Sequence, residues 1–330
     1  MKGRILTGDT PTGKLHLGHY VGTLENRVKL QRDYKTFIIL ADLHALTTLS
    51  SDPKIISEYT YQVALDNLAV GLDPEKVNIF VESRIPEIYE LAAIFSMYVS
   101  HTRSLRNPTV KDEIVSKGQG EHFSLGFINY PIFQAADILC VKANLVPVGV
   151  DQVAHLEQTR EIARDINRVV GEDIFPIAEA LVGKVGKLVG TDGNPKMGKS
   201  LGNCIYLSDS EEVVNKKVMG MYTDPKRIHP TDPGRVENNP VFIYHDVFNS
   251  NKTEVGDLKE RYKKGTVGDI EVKEKLAKAL NVFLDPIRKR RAHYEKNKDL
   301  VMDILDTGTK RTREITIETL NELKSKIGLQ

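Results

Sequence analysis

Along the first half of the chain the apolar positions alternate between two rhythms. Short β-rich runs occupy Arg4–Thr7, Thr36–Ala41 and Val77–Val81. Stretches of helical period lie between and after them, from about Val21 to Asp33, Pro53 to Val70 and Pro86 to Val99. Asp52 is placed as N-cap of the second stretch, with Pro53 at its first helical position and Gly71 to end it. Strands alternating with helices predict βαβ units and a parallel sheet. From about Ser100 to Phe123 the pattern is irregular and polar. Helices are then predicted over Pro131–Val141 and Asp151–Val169, followed by a glycine-rich connector, Lys184–Asn203, with a strand-like Lys187-Leu188-Val189 inside it. Beyond Leu207 the reading is helical and charged, broken by a loop over Asp224–Pro240. The expected fold is α/β, with a parallel-sheet domain over about residues 1–205 and a helical domain over about 206–330. The last helix, near Arg313–Ile327, is placed to return to the first domain.

Composition narrows the class. A chain of 330 residues with 40% hydrophobic and 28% charged content is that of a globular protein large enough for two domains. No apolar run approaches the roughly 20 residues that span a bilayer, so no membrane association is expected. The chain enters a strand directly, which predicts no signal or transit peptide and a cytoplasmic location. Cys140 and Cys204 have no metal-type spacing and predict neither a disulfide framework nor a metal site. The net charge of +1 does not by itself announce a nucleic-acid partner, so such a surface must come from local clusters. Lys259–Lys264, Arg288–Arg291 and Lys310–Arg313 are the candidates, and each also reads as a solvated helix face.

The chemistry concentrates in two segments. Thr10-Pro11-Thr12-Gly13-Lys14-Leu15-His16-Leu17-Gly18-His19 joins the first strand to a helix. Such a turn points backbone N–H groups and the positive end of a helix dipole at an anion. His16 and His19 add hydrogen-bond donors for phosphate, and Gly18 between them leaves bare backbone for a flat base. Far along the chain, Lys196-Met197-Gly198-Lys199-Ser200 places two lysines three apart on a glycine-containing loop, suited to a pyrophosphate that gains charge as it leaves.

With both segments in this order, the chain resembles the class I aminoacyl-tRNA synthetases. His16-Leu17-Gly18-His19 is similar to their HIGH signature and Lys196-Met197-Gly198-Lys199-Ser200 to their KMSKS signature. The likeness extends over essentially the whole chain and is greatest to the tryptophanyl-tRNA synthetase family. Further stretches carry it: Tyr130-Pro131 with Gln134-Ala135-Ala136-Asp137, Val146-Pro147-Val148-Gly149-Val150-Asp151-Gln152, His155–Glu161, Met221-Tyr222-Thr223-Asp224-Pro225 and Asp232-Pro233-Gly234. The resemblance implies a Rossmann-like catalytic domain, a C-terminal helical tRNA-binding domain, ATP and L-tryptophan as substrates, Mg²⁺ accompanying the ATP, tRNA(Trp) as partner and a homodimer. It implies His16, His19, Lys196 and Lys199 as the catalytic groups. The nucleotide would meet Thr10, Pro11, Thr12, Gly18, His19, Gly149, Val150, Asp151, Leu188, Lys196, Met197, Gly198, Lys199 and Ser200. Asp151 also reads as the N-cap of the helix that follows, and one carboxylate can serve both roles.

The amino-acid pocket is the sharper question. Asp137 falls in an otherwise apolar helix, and a buried carboxylate needs a partner. An indole N–H is a donor only and fits, while an arginine or a backbone amide would satisfy it equally. Tyr130, Gln134 and Asp137 share one helix face at i, i+4 and i+7. By the resemblance, Leu6, His44, Val146, Val148 and Gln152 complete the pocket. The tyrosyl enzymes use the same Tyr, Gln and Asp spacing but carry a tyrosine on the first strand, where this chain has Leu6. Gly198 departs from the usual serine of the lysine loop. A tyrosyl-tRNA synthetase and a non-catalytic paralogue that binds RNA or tryptophan are the alternative readings.

Overall fold

The computed structural model describes residues 2–116, 123–149, 152–182, 188–224, 227, 229 and 231–329. Five parallel strands, β1 (Arg4–Asp9), β2 (Lys35–Leu40), β3 (Val77–Val81), β4 (Leu145–Val148) and β5 (Glu179–Val182), form one sheet in the order β3-β2-β1-β4-β5. The succession reverses between β1 and β4, the arrangement of a Rossmann-like sheet, whose ligands lie outside the carboxyl ends of the strands at that reversal. Parallel strands need long crossovers, and helices supply them.

The helices are α1 (Leu17–His19), α2 (Glu25–Leu30), α3 (Asp42–Leu49), α4 (Ile55–Ala69), α5 (Pro86–Ser96), α6 (His101–Leu105), α7 (Pro108–Ser116), α8 (Leu125–Cys140), α9 (Val153–Val170), α10 (Glu211–Met219), α11 (Pro240–Phe248), α12 (Lys252–Lys263), α13 (Asp269–Lys296) and α14 (Lys298–Lys326). A π-helical turn at Tyr20–Leu24 joins α1 to α2. Among the described residues no helix is long and apolar enough to cross a membrane.

The chain divides into two compact units, neither of them one stretch of sequence. The first comprises Met1–Gly13, Glu25–Lys184 and Lys296–Gln330, and the second Lys14–Leu24 and Val185–Glu295. The chain passes from one to the other at 13/14, 24/25, 184/185 and 295/296. In the first unit, Phe37, Ile39 and Phe80 of the sheet pack with apolar residues of α5, α8 and α9 and with Leu320 and Leu323 of α14 in one core. β3 is an edge strand, and unpaired edges invite association. Here α14 covers it: the Val81 N–H donates to Thr309 Oγ1 at 3.2 Å. At the carboxyl end of β1, buried Arg27 grips Asp9 with two bonds, at 2.6 and 3.0 Å, and donates to the Gly8 carbonyl at 2.7 Å. Asn67 adds a bond to Asp9 at 2.9 Å and accepts one from Arg27 at 3.0 Å. In the second unit, Phe242, Tyr244 and Tyr262 are buried, and the Lys273 ammonium donates to the carbonyls of Met219 and Met221 and to Thr223 Oγ1.

Several elements differ from expectation. The helix expected from Pro131 starts at Leu125 instead, because Ser124 caps it by accepting the Phe127 N–H at 3.1 Å. Pro131 lies inside this helix, where burial in the core outweighs one lost backbone bond. α4 begins at Ile55 with no side-chain cap, so Asp52 and Pro53 precede the helix rather than open it. The stretch from Ser100 to Phe123, read as irregular, holds α6 and α7, with Ser100 capping Arg103. Leu188 and Val189 belong to no strand, and the fifth strand lies earlier, at Glu179–Val182.

Candidate active site

In the second unit the histidine turn is held as a capping box. His16 Nδ1 accepts the Gly18 N–H at 3.1 Å, and His19 Nδ1 accepts the His16 N–H at 3.1 Å. Both Nδ1 atoms are acceptors, so a neutral ring at either position carries its proton on Nε2, a donor suited to phosphate oxygen. The two rings lie 3.9 Å apart between centroids. Burial pulls the His16 pKa down to about 2, with the charges of His19 and Lys199 adding to it, so this imidazole is neutral at physiological pH.

The lysine loop meets this turn within the same unit. A Cβ on Gly18 would stand 2.9 Å from Met197 Sδ and 2.9 Å from His16 Cε1, closer than carbon atoms approach without displacement. The backbone past the loop pairs with the turn as well. Leu17 N–H donates to the Ile205 carbonyl at 2.9 Å and Leu207 N–H to the Leu15 carbonyl at 3.0 Å. Segments nearly two hundred residues apart in sequence are thus fixed to one another by backbone bonds. Lys196 and Ser200 are exposed, Lys199 is half-buried and Leu188 is buried. Gly198 is extended, at φ −163°, and a Cβ there would find its nearest neighbours at 3.9 Å. Nothing steric excludes the serine usual at this position.

In the first unit, α8 presents Tyr130, Gln134 and Asp137 along one face, while Leu6 of β1 and Val146 and Val148 of β4 are buried on the two strands that flank the sheet's reversal. The His44 ring stands edge-on to Tyr130, 5.0 Å between centroids. Asp137 is 6% exposed, and its Oδ1 is buried with no hydrogen-bond partner among the described residues. Burial raises its pKa well above the carboxylate range, and the charges of Glu82 and Asp42 raise it further. Glu82 is itself buried and pushed up to about 7, by burial first and by Asp42, although its Oε2 accepts the His44 N–H at 3.2 Å. The Tyr89 hydroxyl is raised too, by burial and by Glu82, Asp42 and Asp137.

Tyr130 is set from behind by residues the sequence reading left unassigned. Asn107 Oδ1 accepts the Thr109 N–H, which makes Asn107 Nδ2 the donor, at 3.0 Å, to both Gln158 Oε1 and His155 Nδ1. His155 therefore carries its proton on Nε2 and donates it to the Tyr130 hydroxyl oxygen at 2.9 Å. Asn107, His155 and Gln158 are all fully buried. Periodicity reads His155 as one more residue on the inner face of α9. Only the three-dimensional packing reveals its partner.

The remaining expected residues are placed as follows. Thr10, Pro11 and Thr12 follow β1 in a tight turn, Thr12 N–H bonding the Thr10 carbonyl at 2.8 Å. Gly149 accepts the Gln152 N–H at 3.0 Å ahead of α9. Val150 and Asp151 lie outside the described residues. Of the basic clusters, Arg288 is bonded to Asn281 and the Asp209 carbonyl, Arg291 is buried against Glu295, and Arg313 pairs with Glu87, while Lys289 and Arg290 are exposed.

Comparison with known proteins agrees with this arrangement. The sequence profile of the class I tRNA synthetases for W and Y matches residues 2–285. The tryptophan--tRNA ligase of Streptococcus mutans is 52% identical over 336 residues, covering 98% of each chain, and that of Borreliella burgdorferi is 50% identical over 328 residues, covering 98% of this chain and 93% of its own. The tryptophanyl-tRNA synthetase of Campylobacter jejuni, solved with ADP and tryptophan, superposes with a TM-score of 0.87 at 33% identity, covering 99% of this chain and all of the other. With the family profile matched over residues 2–285 and relatives about 50% identical over nearly the whole chain, this chain belongs to the class I tRNA synthetases, among the tryptophan--tRNA ligases.

Proposed function

We propose that this protein joins L-tryptophan to tRNA(Trp) in two steps. In the first, a carboxylate oxygen of tryptophan attacks the α-phosphorus of ATP, the α–β phosphoanhydride bond breaks, and tryptophanyl-adenylate and pyrophosphate form. In the second, a ribose hydroxyl at the 3′ end of the tRNA attacks the carbonyl carbon and AMP leaves. Neither step needs a protein nucleophile. What the protein supplies is alignment of the reactants and donors aimed at the charge that develops.

The observation that carries this reading is Oδ1 of Asp137, a buried acceptor with no donor among the described residues. The indole N–H supplies one, and phenylalanine has none to offer. Tyr130, Gln134, His44, Leu6, Val146, Val148 and Gln152 form the rest of this pocket in our reading. Leu6 adds no polar partner for a phenolic hydroxyl, and the full-length relatives are tryptophan rather than tyrosine enzymes. His16 and His19, with Gly18, would hold the nucleotide. Thr10, Pro11, Thr12, Gly149, Val150, Asp151 and Leu188 would shape its site. Lys196 and Lys199, with Met197, Gly198 and Ser200 of their loop, would receive the departing pyrophosphate.

Mg²⁺ belongs in this account with the substrate. Among the described residues no group of three His, Cys, Asp or Glu side chains could hold a metal ion, so the cation would travel on the ATP phosphates. We assign tRNA contact to the helical elements within residues 206–330, with Lys289 and Arg290 as exposed cations, and take the working form to be a cytoplasmic homodimer. Amino-acid-dependent ATP–pyrophosphate exchange tests the reading. Tryptophan should support exchange and tyrosine should not; exchange with tyrosine alone would overturn the pocket assignment, and exchange with neither would overturn the activity.

A further inference from the structure

The lysine loop is tied down by one side chain that neither the signature turn nor the lysine motif contains. Asn203 is 3% exposed. Its Oδ1 accepts the Gly198 N–H at 2.9 Å, and its Nδ2 donates to the Lys196 carbonyl and to Asp192 Oδ1, each at 3.0 Å. Its own carbonyl accepts the Thr191 N–H at 3.0 Å. Asp192 in turn accepts the Asn194 N–H at 3.0 Å, and Asn194 Oδ1 accepts the Lys196 N–H at 2.9 Å. These bonds lower the Asp192 pKa, the Asn194 N–H most, so the carboxylate is charged and a firm acceptor. Both peptide groups of Lys196 and the one at Gly198 are thereby fixed, on either side of Met197, which lies against Gly18.

The glycine beneath this network argues that the arrangement is specific. A Cβ on Gly190 would stand 2.3 Å from Asn203 Nδ2 and 2.5 Å from Asp192 Oδ1. The amide and the carboxylate meet directly over a bare backbone, and a single methyl group would part them. Past the loop, Gly202 takes the left-handed conformation at φ 64°, turning the chain so that Asn203 points back into it. Ile205, two residues on, is the one bonded to Leu17 of the histidine turn. Asn203 therefore stands at the joint between a segment fixed to the turn and the loop that carries Lys196 and Lys199.

We propose that Asn203, held by Asp192 over Gly190, is a positioning residue for pyrophosphate departure: it latches the lysine loop so that Lys196 and Lys199 are aimed before ATP binds. It touches no substrate and acts through the backbone of the two lysine-bearing residues' loop. This assignment rests on the proposed adenylation reading for its rate consequence, but the latch itself is open to a test that needs no activity.

Two readouts on the same set of full-length variants decide it. The variants are Asn203→Ala, Asn203→Asp and Gly190→Ala. Amide hydrogen exchange over the peptide spanning residues 194–204 should rise in all three. Alanine at 203 removes every side-chain bond; aspartate keeps an acceptor for the Gly198 N–H but cannot donate to the Lys196 carbonyl or to Asp192; the methyl group added at 190 parts Asn203 from Asp192. In ATP–pyrophosphate exchange, kcat should fall by about tenfold or more in all three. Tryptophan affinity should stay within about twofold, measured by ligand fluorescence in a chain that has no tryptophan of its own.

Unchanged hydrogen exchange in Asn203→Ala and Gly190→Ala would overturn the latch. Faster hydrogen exchange with an unchanged kcat, or a loss of tryptophan affinity as large as the loss in kcat, would overturn its role in positioning. Absence of exchange activity in the wild-type protein would instead refute the proposed function, with the hydrogen-exchange result still reporting on the latch.

Discussion

His16 Nδ1 already accepts the Gly18 N–H, so a second proton on that ring would break a bond on which the turn is built. Its pKa of about 2 follows from that burial and from the nearby charges of His19 and Lys199. His16 thus offers a neutral, oriented donor, and the positive charge for the leaving group comes from the lysines. Lys199→Ala should slow single-turnover adenylate formation by about a hundredfold, the size typical of one lost transition-state donor, with little change in tryptophan affinity. A variant that forms adenylate at near the wild-type rate would remove Lys199 from the chemistry. Asp137 is the opposite case, a group whose surroundings withhold rather than supply partners. Its type and its place on an apolar helix were readable in sequence. That its Oδ1 finds no arginine or amide among the described residues was not, because that depends on what the fold brings within reach.

At the scale of elements, the strands with strong apolar runs were legible: Val77–Val81 is β3 as expected, and β1 and β2 fall within a residue or two of their predicted positions. The misreadings have local causes. Ser124 and Ser100 are N-caps that the apolar period alone does not reveal, and Pro131 reads as a helix start although the core tolerates it inside. β5 is short and only half-buried, so its alternation was too weak to read. The Asp9–Arg27–Asn67 network was also hidden, since it joins the end of a strand to two helices far apart in sequence. It holds the carboxyl end of β1, from which the signature segment departs. Arg27→Ala leaves Asp9 buried and uncompensated and should cost about 3–5 kcal/mol in urea unfolding. The paired apolar replacement, Arg27→Met with Asp9→Leu, should cost less than the single change. A single variant losing under about 1 kcal/mol would show that the pair is not desolvated as described.

At the scale of the whole molecule, buried carboxylates link stability to pH. Glu82 releases its proton near 4.5 when unfolded and near 7 in the fold. Between those values the folded protein holds the extra proton, so stability falls as pH rises through that window and levels off above it. Asp137 acts in the same direction. Glu82→Gln should therefore gain thermal stability relative to wild type as pH is raised from about 5 to about 7.5; a constant difference across that range would place Glu82 in contact with solvent. Burying Glu82 and Asp137 near Asp42 carries a cost, which both raised pKa values express, set against what the pocket is for in our reading: accepting one donor from a flat aromatic side chain. The most direct test compares tryptophan with its isostere in which sulfur replaces the indole N–H, in ATP–pyrophosphate exchange. The wild-type protein should favour tryptophan in kcat/KM by at least about a hundredfold, and Asp137→Ala should close most of that gap. Equal use of the two amino acids by the wild-type protein would contradict the assignment of Asp137, and with it the central reading of the pocket.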